Sequence, residues 1–409
     1  MATETIEVQK EPMDSRAVIH APLWILALVT FSGTLAMHIF VPALPYAGAD
    51  LTASSGTMQL TISVYILGLA AGQLIYGPLS DRFGRRRTLM AGLVIYSLSG
   101  LAAALSPDVD SLIIARLFQA LGGCSGMVLG RAMVRDTASA QDASRRLAMM
   151  NLIVMIGPGA APIIGSLLAS ALGWRSIFFF LCAFGVFSIL FCLRLLPETS
   201  TSGNNADFRT LARNYAALVK SPAFLGFAIG GGCATTSLYA FIAAAPFIFE
   251  DHLHQTARQV GVYLAILISG VWLGSAIMSR LVTRSSIKQL LIGSSLISLS
   301  AAAVYLCIVL AGGLSVIAAV ASIFVFSVGA GIASPVALTE AISVNAKVIG
   351  SASGLYGFTQ MMIAALCTAL VGLGRDPSIS AGIVLVGAAL VGQLAFWFAL
   401  RWKRLGGAA

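Results

Sequence analysis

Two side chains stand out because they occupy apolar surroundings and can carry a proton or a charge. His38 lies in the stretch MHIFVPALP, and Arg116 lies in ARLFQALGG, three residues before Gln119. Histidine exchanges a proton near neutral pH, and a lone arginine in a hydrocarbon environment costs at least about 2.5–3.5 kcal/mol unless it has a task or partners. The carboxylates Asp50, Glu250, Asp251 and Glu340 fall at the ends of apolar runs, not inside them. A third group is GPLSDRFGRRR, Gly77 to Arg87, where Asp81 sits among Arg82, Arg85, Arg86 and Arg87. A fourth is GPGAAPIIG, Gly157 to Gly165, in which Gly157, Ala161 and Gly165 share one helical face and Asn151, Met155, Pro158 and Pro162 share another.

The elements that position these residues are membrane spans. Hydrophobic residues make up 58% of 409 positions and charged residues 10%, against roughly 25% charge for a soluble domain. A bilayer core of about 30 Å needs about 20 helical residues. Apolar runs near 22–46, 57–80, 88–106, 111–134, 146–172, 175–196, 222–249, 259–282, 288–311, 314–339, 348–374 and 378–400 predict an all-α protein of twelve transmembrane helices. Pro42 and Pro45 are expected to break the first run, and Pro158 and Pro162 the fifth.

Basic residues set the expected orientation. With the N-terminus inside, 21 of the 25 Lys and Arg residues fall on the cytoplasmic side and only Arg175, Arg258 and Arg375 on the other, Arg116 being inside a span. Both termini are expected in the cytoplasm. The first 21 residues read as a polar cytoplasmic tail without a cleavable signal, and residues 401–409 as a second tail. The polar stretch 197–221 separates halves at 22–196 and 222–400. Gly68, Gly72 and Arg82 recur as Gly270, Gly274 and Arg284, each 202 positions later, the offset that two six-helix repeats would give. Such repeats place a binding site at their interface.

Other chemistries are weakly represented. The six cysteines, all in apolar segments, show no C-x-x-C spacing, so neither a zinc site nor a disulfide framework is indicated. His252-Leu-His254 is an exposed pair of the incidental kind. No clustered Asp, His, Glu, Cys or Ser–His set points to an enzyme, and the basic residues, dispersed between spans, do not suggest a nucleic-acid partner.

GPLSDRFGRRR resembles the signature loop of the major facilitator superfamily, G-x-L-x-D-R-x-G-R-R, with Gly77, Asp81, Arg82, Gly84, Arg85 and Arg86 at fixed positions. RLFQALGG is similar to the family's intramembrane Arg–Gln motif, and GPGAAPIIG to its antiporter motif. With FVPALP and RAMVRD, the pattern resembles the bicyclomycin/chloramphenicol-resistance branch of drug–proton antiporters. That resemblance implies two six-helix halves rocking around a central site and driven by the proton gradient with no other cofactor. It also implies Asp81 at the N-terminus of span 11 and Arg85 paired with Asp136, together latching the cytoplasmic side. His38 departs from the branch, which usually carries an acidic residue there. Similar depth makes His38 and Arg116 expected neighbours, and with Gln119 they are the coupling candidates. Tyr65, Asn151, Met155, Tyr239, Phe241, Tyr356 and Gln360 are the expected cavity residues. The reading is an exporter of small amphipathic compounds, functional as a monomer, with an exporter of an anionic or sugar-like metabolite as the rival.

The orientation is testable directly. A reporter active only outside the cytoplasm should work when fused after Asp108 and fail after Arg87 or Ser202; activity after Ser202 contradicts the six-plus-six arrangement.

Overall fold

Hydrocarbon supplies no partner for backbone N–H and C=O groups, so apolar runs of this length close their hydrogen bonds internally as helices. The computed structural model describes residues 22–137, 140–199, 208–345 and 348–406. Its membrane helices are α1 (Leu23–Asp50), α2 (Ser55–Phe83), α3 (Arg85–Ala104), α4 (Val109–Asp136), α5 (Ala140–Leu172) and α6 (Arg175–Leu195). They continue as α7 (Pro222–His252), α8 (Ala257–Leu281), α9 (Ile287–Leu310), α10 (Val316–Ser343), α11 (Ile349–Gly372) and α12 (Pro377–Gly406). Among the described residues, eleven are long and apolar enough to cross a membrane; α5 contributes a shorter apolar stretch, Ile156–Leu172. Within the polar stretch 197–221 an additional amphipathic helix runs over Phe208–Val219.

Side-chain caps start many of these helices. Ser54 accepts from Thr57 N at 3.1 Å, and Asp108 from Ser111 N at 2.8 Å, a bond that holds the Asp108 carboxyl below its ordinary pKa. Thr256 with Gln259 and Ser286 with Gln289 form capping boxes at α8 and α9.

One expectation about continuity holds and two need correction. The first span is interrupted at Pro42 and Pro45, as expected, after Ile39. A 3-10 turn, Val41–Ala43, carries the chain into a further helix, Leu44–Asp50, because each proline sits at an N-terminal helical position where a missing N–H costs nothing. The fifth helix is not broken, and runs through Pro158 and Pro162. These prolines are four apart, so one carbonyl freed by Pro162 is that of Pro158 itself and the loss is localised. The seventh span, expected to be continuous, is interrupted: one helix ends at Thr235, another begins at Leu238, and a π turn finishes it over Ile248–His252.

The packing of the first six helices recurs in the last six. Helix α1 contacts α4 and α5, α2 contacts α4, and α3 contacts α4 and α6; correspondingly α7 contacts α10 and α11, α8 contacts α10, and α9 contacts α10 and α12. The repeated glycines do the same work. Gly68 and Gly72 lie against Ala120 and Cys124 of α4, while Gly270 and Gly274 lie against Ser327 and Val328 of α10. Between the two sets, the main contacts are α2 with α11 and α5 with α8, themselves an equivalent pair under the 202-residue offset.

Close approach makes some glycines irreplaceable. A Cβ on Gly122 would stand 2.6 Å from Gly92 O and 2.8 Å from Tyr96 Cα, both backbone atoms of α3. Gly122→Ala should therefore destabilise the detergent-solubilised protein by about 1–3 kcal/mol. Gly293→Ala, where a Cβ meets open space, should stay within about 0.5 kcal/mol of the parent. Equal thermal unfolding of the two variants would contradict the packing.

Candidate functional site

Both interrupted helices meet at His38. It ends the first segment of α1, Leu23–Ile39, just before the 3-10 turn. Its Nδ1 lies 2.8 Å from the carbonyl of Thr34. A carbonyl can only accept, so neutral His38 carries its proton on Nδ1 and presents Nε2 as the lone-pair nitrogen. Its ring faces Tyr239, which follows the interruption of α7, with centroids 5.7 Å apart. The 202-residue offset carries position 38 to position 240, so these two rings stand at nearly equivalent places in the repeat.

Hydroxyl and amide groups close the break in α7. Thr236 Oγ1 donates to the Gln360 carbonyl at 2.9 Å, and Gln360 Nε2 donates to Thr235 Oγ1 at 3.0 Å and Tyr356 Oη at 3.3 Å. Tyr356 and Gln360 therefore stand at the break in α7, and Tyr239 stands beside His38 at the break in α1. Phe241 does not: it is buried edge-on to Tyr305 at 5.5 Å, inside the second set of helices. Asn151 and Met155 fall on α5, but their side chains lie outside the described residues.

Arg116 is fully enclosed elsewhere. Its Nη1 donates to the Ala36 carbonyl at 3.0 Å and to Gln119 Oε1 at 2.7 Å, and its guanidinium lies 3.9 Å from the centre of the Tyr65 ring. Phe40 and Phe178 stand at 5.6 and 5.7 Å. Nε and Nη2 have no hydrogen-bond acceptor among the described residues, so aromatic faces carry much of the charge, each worth about 2 kcal/mol when desolvated. Tyr65, whose hydroxyl donates to Gly33 O at 2.8 Å, belongs to this cage and not to the space around Tyr239. The expected pairing of His38 with Arg116 is absent among the described contacts. The link between them is the backbone of α1, which gives Ala36 O to Arg116 and Thr34 O to His38.

Helix α5 joins the sites. Gly157 packs on the Phe31 ring and Gly165 on the Ile39 carbonyl, seating one face on α1 beside His38. Its proline face meets the opposite half: a Cβ on Gly261 of α8 would lie 2.9 Å from Pro162 O.

The arginine-rich end is built differently from the loop the sequence suggests. Gly77, Pro78, Asp81 and Arg82 are helical, in the last turns of α2, and only Gly84 separates α2 from α3. Arg85 binds Asp136 (Nε–Oδ2 3.0 Å), as expected, and also Asp81 (Nη1–Oδ1 2.6 Å) and Ser80. Asp81 is thus tied within its own motif instead of capping α11. Between it and Gly350, Ser351, Ser353 and Gly354 of α11 lies a cavity of about 340 Å³, which Arg131 and Arg135 also line. Arg82 rests over the neighbouring Phe83 ring.

One residue of this cluster escaped the sequence reading. Glu198, just beyond α6, accepts from the backbone N–H of Arg85 at 2.8 Å and of Arg86 at 3.2 Å. It caps α3 where an anion is favoured. Gly84 has φ +93°, and a Cβ there would lie 2.7 Å from Glu198 Oε2, so both conformation and space require glycine. Arg86 Nη2 completes the clasp by donating to Leu193 O at 2.7 Å. The only sequence signal was a carboxylate directly after a span, in Pro197-Glu198-Thr199.

Residues 26–368 match the Major Facilitator Superfamily. The chain belongs to that family. It is a multi-pass membrane transporter and not an enzyme. Among its superfamily relatives, the uncharacterized MFS-type transporter YdgK of Bacillus subtilis is 29% identical over 387 residues, 94% of this chain and 96% of that protein. A bicyclomycin resistance protein homolog of Haemophilus influenzae is 26% identical, covering 65% of this chain and 67% of its own. Multidrug resistance protein D of Escherichia coli is 29% identical over 63% and 65%, respectively. The fold is shared with an inward-facing bacterial homolog of the human lysosomal transporter Spinster (TM-score 0.74, 14% identity, 96% of this chain and 99% of that one). It is shared too with a D-xylose-proton symporter (TM-score 0.71, 15% identity, 90% and 96%).

The clasp of this superfamily member separates two roles for the arginine-rich end. Arg85→Ala removes contacts to two carboxylates and should cut transport at least about tenfold at unchanged membrane abundance. Glu198→Gln, which keeps shape but not charge, should give an intermediate loss, and Gly84→Ala a larger one. Wild-type transport by Arg85→Ala would reduce the cluster to a topology anchor.

Proposed function

We propose that this chain is a proton-coupled exporter of small amphipathic compounds, working by alternating access across the bacterial cytoplasmic membrane with both termini in the cytoplasm. The observation that carries this reading is the meeting of His38 with Tyr239. A titratable group sits where two interrupted helices from opposite halves touch, the location at which transporters of repeated architecture hold substrate and coupling ion. His38 takes up the coupling proton on Nε2 when substrate leaves, and gives it up when the next substrate binds. Arg116, fixed by Gln119 and the aromatic cage, acts on this exchange by holding the α1 backbone at Ala36. The Tyr239 ring beside the hydroxyl and amide groups of Thr235, Tyr356 and Gln360 offers an aromatic face with polar groups at its edge, a combination suited to varied amphipathic compounds. The names of the bicyclomycin-resistance and multidrug-resistance relatives support the same substrate class.

In this mechanism the halves, 22–196 and 222–400, move against each other along the α2–α11 and α5–α8 seams. Glycines let the first seam close tightly: a Cβ on Gly372 would lie 3.2 Å from the Gly56 carbonyl, and the Gln73 side chain of α2 lies directly on Gly357 of α11. The Arg85–Asp136 and Arg85–Asp81 pairs, with Glu198, set the geometry of the cytoplasmic gate. Asp81 reaches the first turn of α11 when that side closes. The proton gradient suffices as energy source, and one chain suffices as the working unit.

A second reading, export of an anionic metabolite, has one specific observation in its favour. Arg131 and Arg135 line the cavity that faces the N-terminus of α11, and helix N-termini favour anions.

Everted vesicles separate these readings. An amphipathic cation that is a substrate should release protons from energised vesicles containing the wild type, and His38→Gln should abolish uphill exchange while downhill movement persists. Uphill exchange by His38→Gln at the wild-type rate removes His38 as the carrier. Acceleration by carboxylate compounds, lost in Arg131→Gln, would favour the anion exporter.

A further inference from the structure

A long apolar groove runs down the outside of the second half, away from the site just described. Its larger part, about 930 Å³, lies between α7, α11 and α12, with Cys233, Leu366, Ile383 and Gly387 among its walls. A smaller part, about 470 Å³, lies between the start of α7 and the end of α12, from Leu225 to Phe398. Ile229 and Val391 border both parts, so the two adjoin end to end. Along α12 the groove extends from Ser380 to Phe398, about 27 Å at 1.5 Å per residue, nearly the depth of a hydrocarbon core.

Three features define what fills it. The groove opens onto the membrane side of the bundle, where Leu366, Leu370, Ile383 and Leu394 are exposed. Its depth is created by absent side chains: a Cβ on Gly387 meets no atom within 4 Å. Its charged wall residue is Lys220, at the arginine-rich end and beside the N-terminus of α7, where Ser221 is the N-cap. At the same end Phe398 stacks on Trp402 and Arg401 covers Trp397, the aromatic and basic girdle of a headgroup region. The groove is also walled off from the transport interface, because Ile363 of α11 packs directly on Gly232 of α7. An occupant therefore stays on the lipid side of the Thr235–Gln360 network.

We propose that this groove holds one anionic phospholipid, with its phosphate on Lys220 and an acyl chain running past Ile229 and Val391 into the cleft above Gly387. Such a lipid fills space that helix packing leaves open and joins α7, α11 and α12 at the back of the substrate site. Annular lipids exchange freely over a convex surface. A chain threaded through a groove with a cation at one end is retained, and it selects its headgroup.

The test is native mass spectrometry of the full chain in detergent with phosphatidylglycerol or phosphatidylcholine added. The wild type should retain one phosphatidylglycerol per chain, at least about fivefold over phosphatidylcholine, the preference expected of a single lysine. Lys220→Gln should remove the preference while keeping some binding. Gly387→Phe, which fills the cleft, and Val391→Trp, which blocks the constriction from an exposed position, should each lose the lipid, whereas Leu98→Phe on another exposed face should not. Thermal unfolding checks that each variant is folded. The proposal is overturned if the wild type retains no lipid, if both filling variants retain it, or if Lys220→Gln keeps the headgroup preference. Displacement of the lipid by an exported compound, with transport lost in Gly387→Phe, would make the groove a substrate path and overturn it as well.

Discussion

Everything in this molecule depends on satisfying the peptide backbone where no water is available. Ten of the twelve membrane helices run without a break, three of them, α2, α5 and α10, despite internal prolines. The exceptions are α1 and α7, which occupy equivalent places in the repeat. In α1 the interruption is cheap, since Pro42 and Pro45 fall where helical N–H groups would be unpaired anyway. In α7 it needs outside help, and Thr235, Thr236 and Gln360 supply it. Irregular backbone at membrane depth survives only where protein or a water-lined cavity surrounds it. The two breaks therefore fall together, and the polar groups that mend them become the polar groups available to a passenger.

The same economy explains the contrast between His38 and Arg116. A guanidinium cannot shed its charge, so burial demands a permanent enclosure: one carbonyl, one amide oxygen and three aromatic rings. That enclosure draws on α1, α2, α4 and α6 and leaves Arg116 no freedom to meet a substrate. An imidazole can be neutral, needs a single carbonyl, and keeps its other nitrogen free. The more costly residue thus becomes the anchor, and the less costly one stands at the interface.

At the arginine-rich end, charge and backbone geometry are coupled. Arg85 gathers carboxylates from α2 and α4, while Glu198 brings the end of α6 onto the first N–H groups of α3. A turn of a single residue, Gly84, makes this possible, because its positive φ points those N–H groups at the carboxylate. Four helices are fixed together by one glycine and a few charges. Among the described residues Asp81 and the first turn of α11 stand on opposite walls of a cavity, which Arg131 and Arg135 also line.

By itself the sequence determined the class, the helix number and the family. Apolar runs of about 20 residues have one stable form in hydrocarbon, and GPLSDRFGRRR and the Arg116–Gln119 spacing are local patterns. The resemblance of its motifs to the family's implied the pairing of Arg85 with Asp136, which the structure holds, and marked His38 as unusual. Glu198 was invisible, because its partners are backbone atoms some 112 residues away. The break in α7 was equally hidden: Thr235-Thr236-Ser237 reads as a tolerable stretch of helix, and only Gln360 on α11 makes the interruption stable. The neighbours of His38 and Arg116 were decided by rotation about the helix axes, which depth in the membrane does not specify. Proline position misled for a related reason, since whether Pro158 and Pro162 break α5 depends on what packs around their freed carbonyls. Periodicity and composition report each helix's own energetics, whereas the site arises from contacts between helices, and those exist only once the bundle has closed.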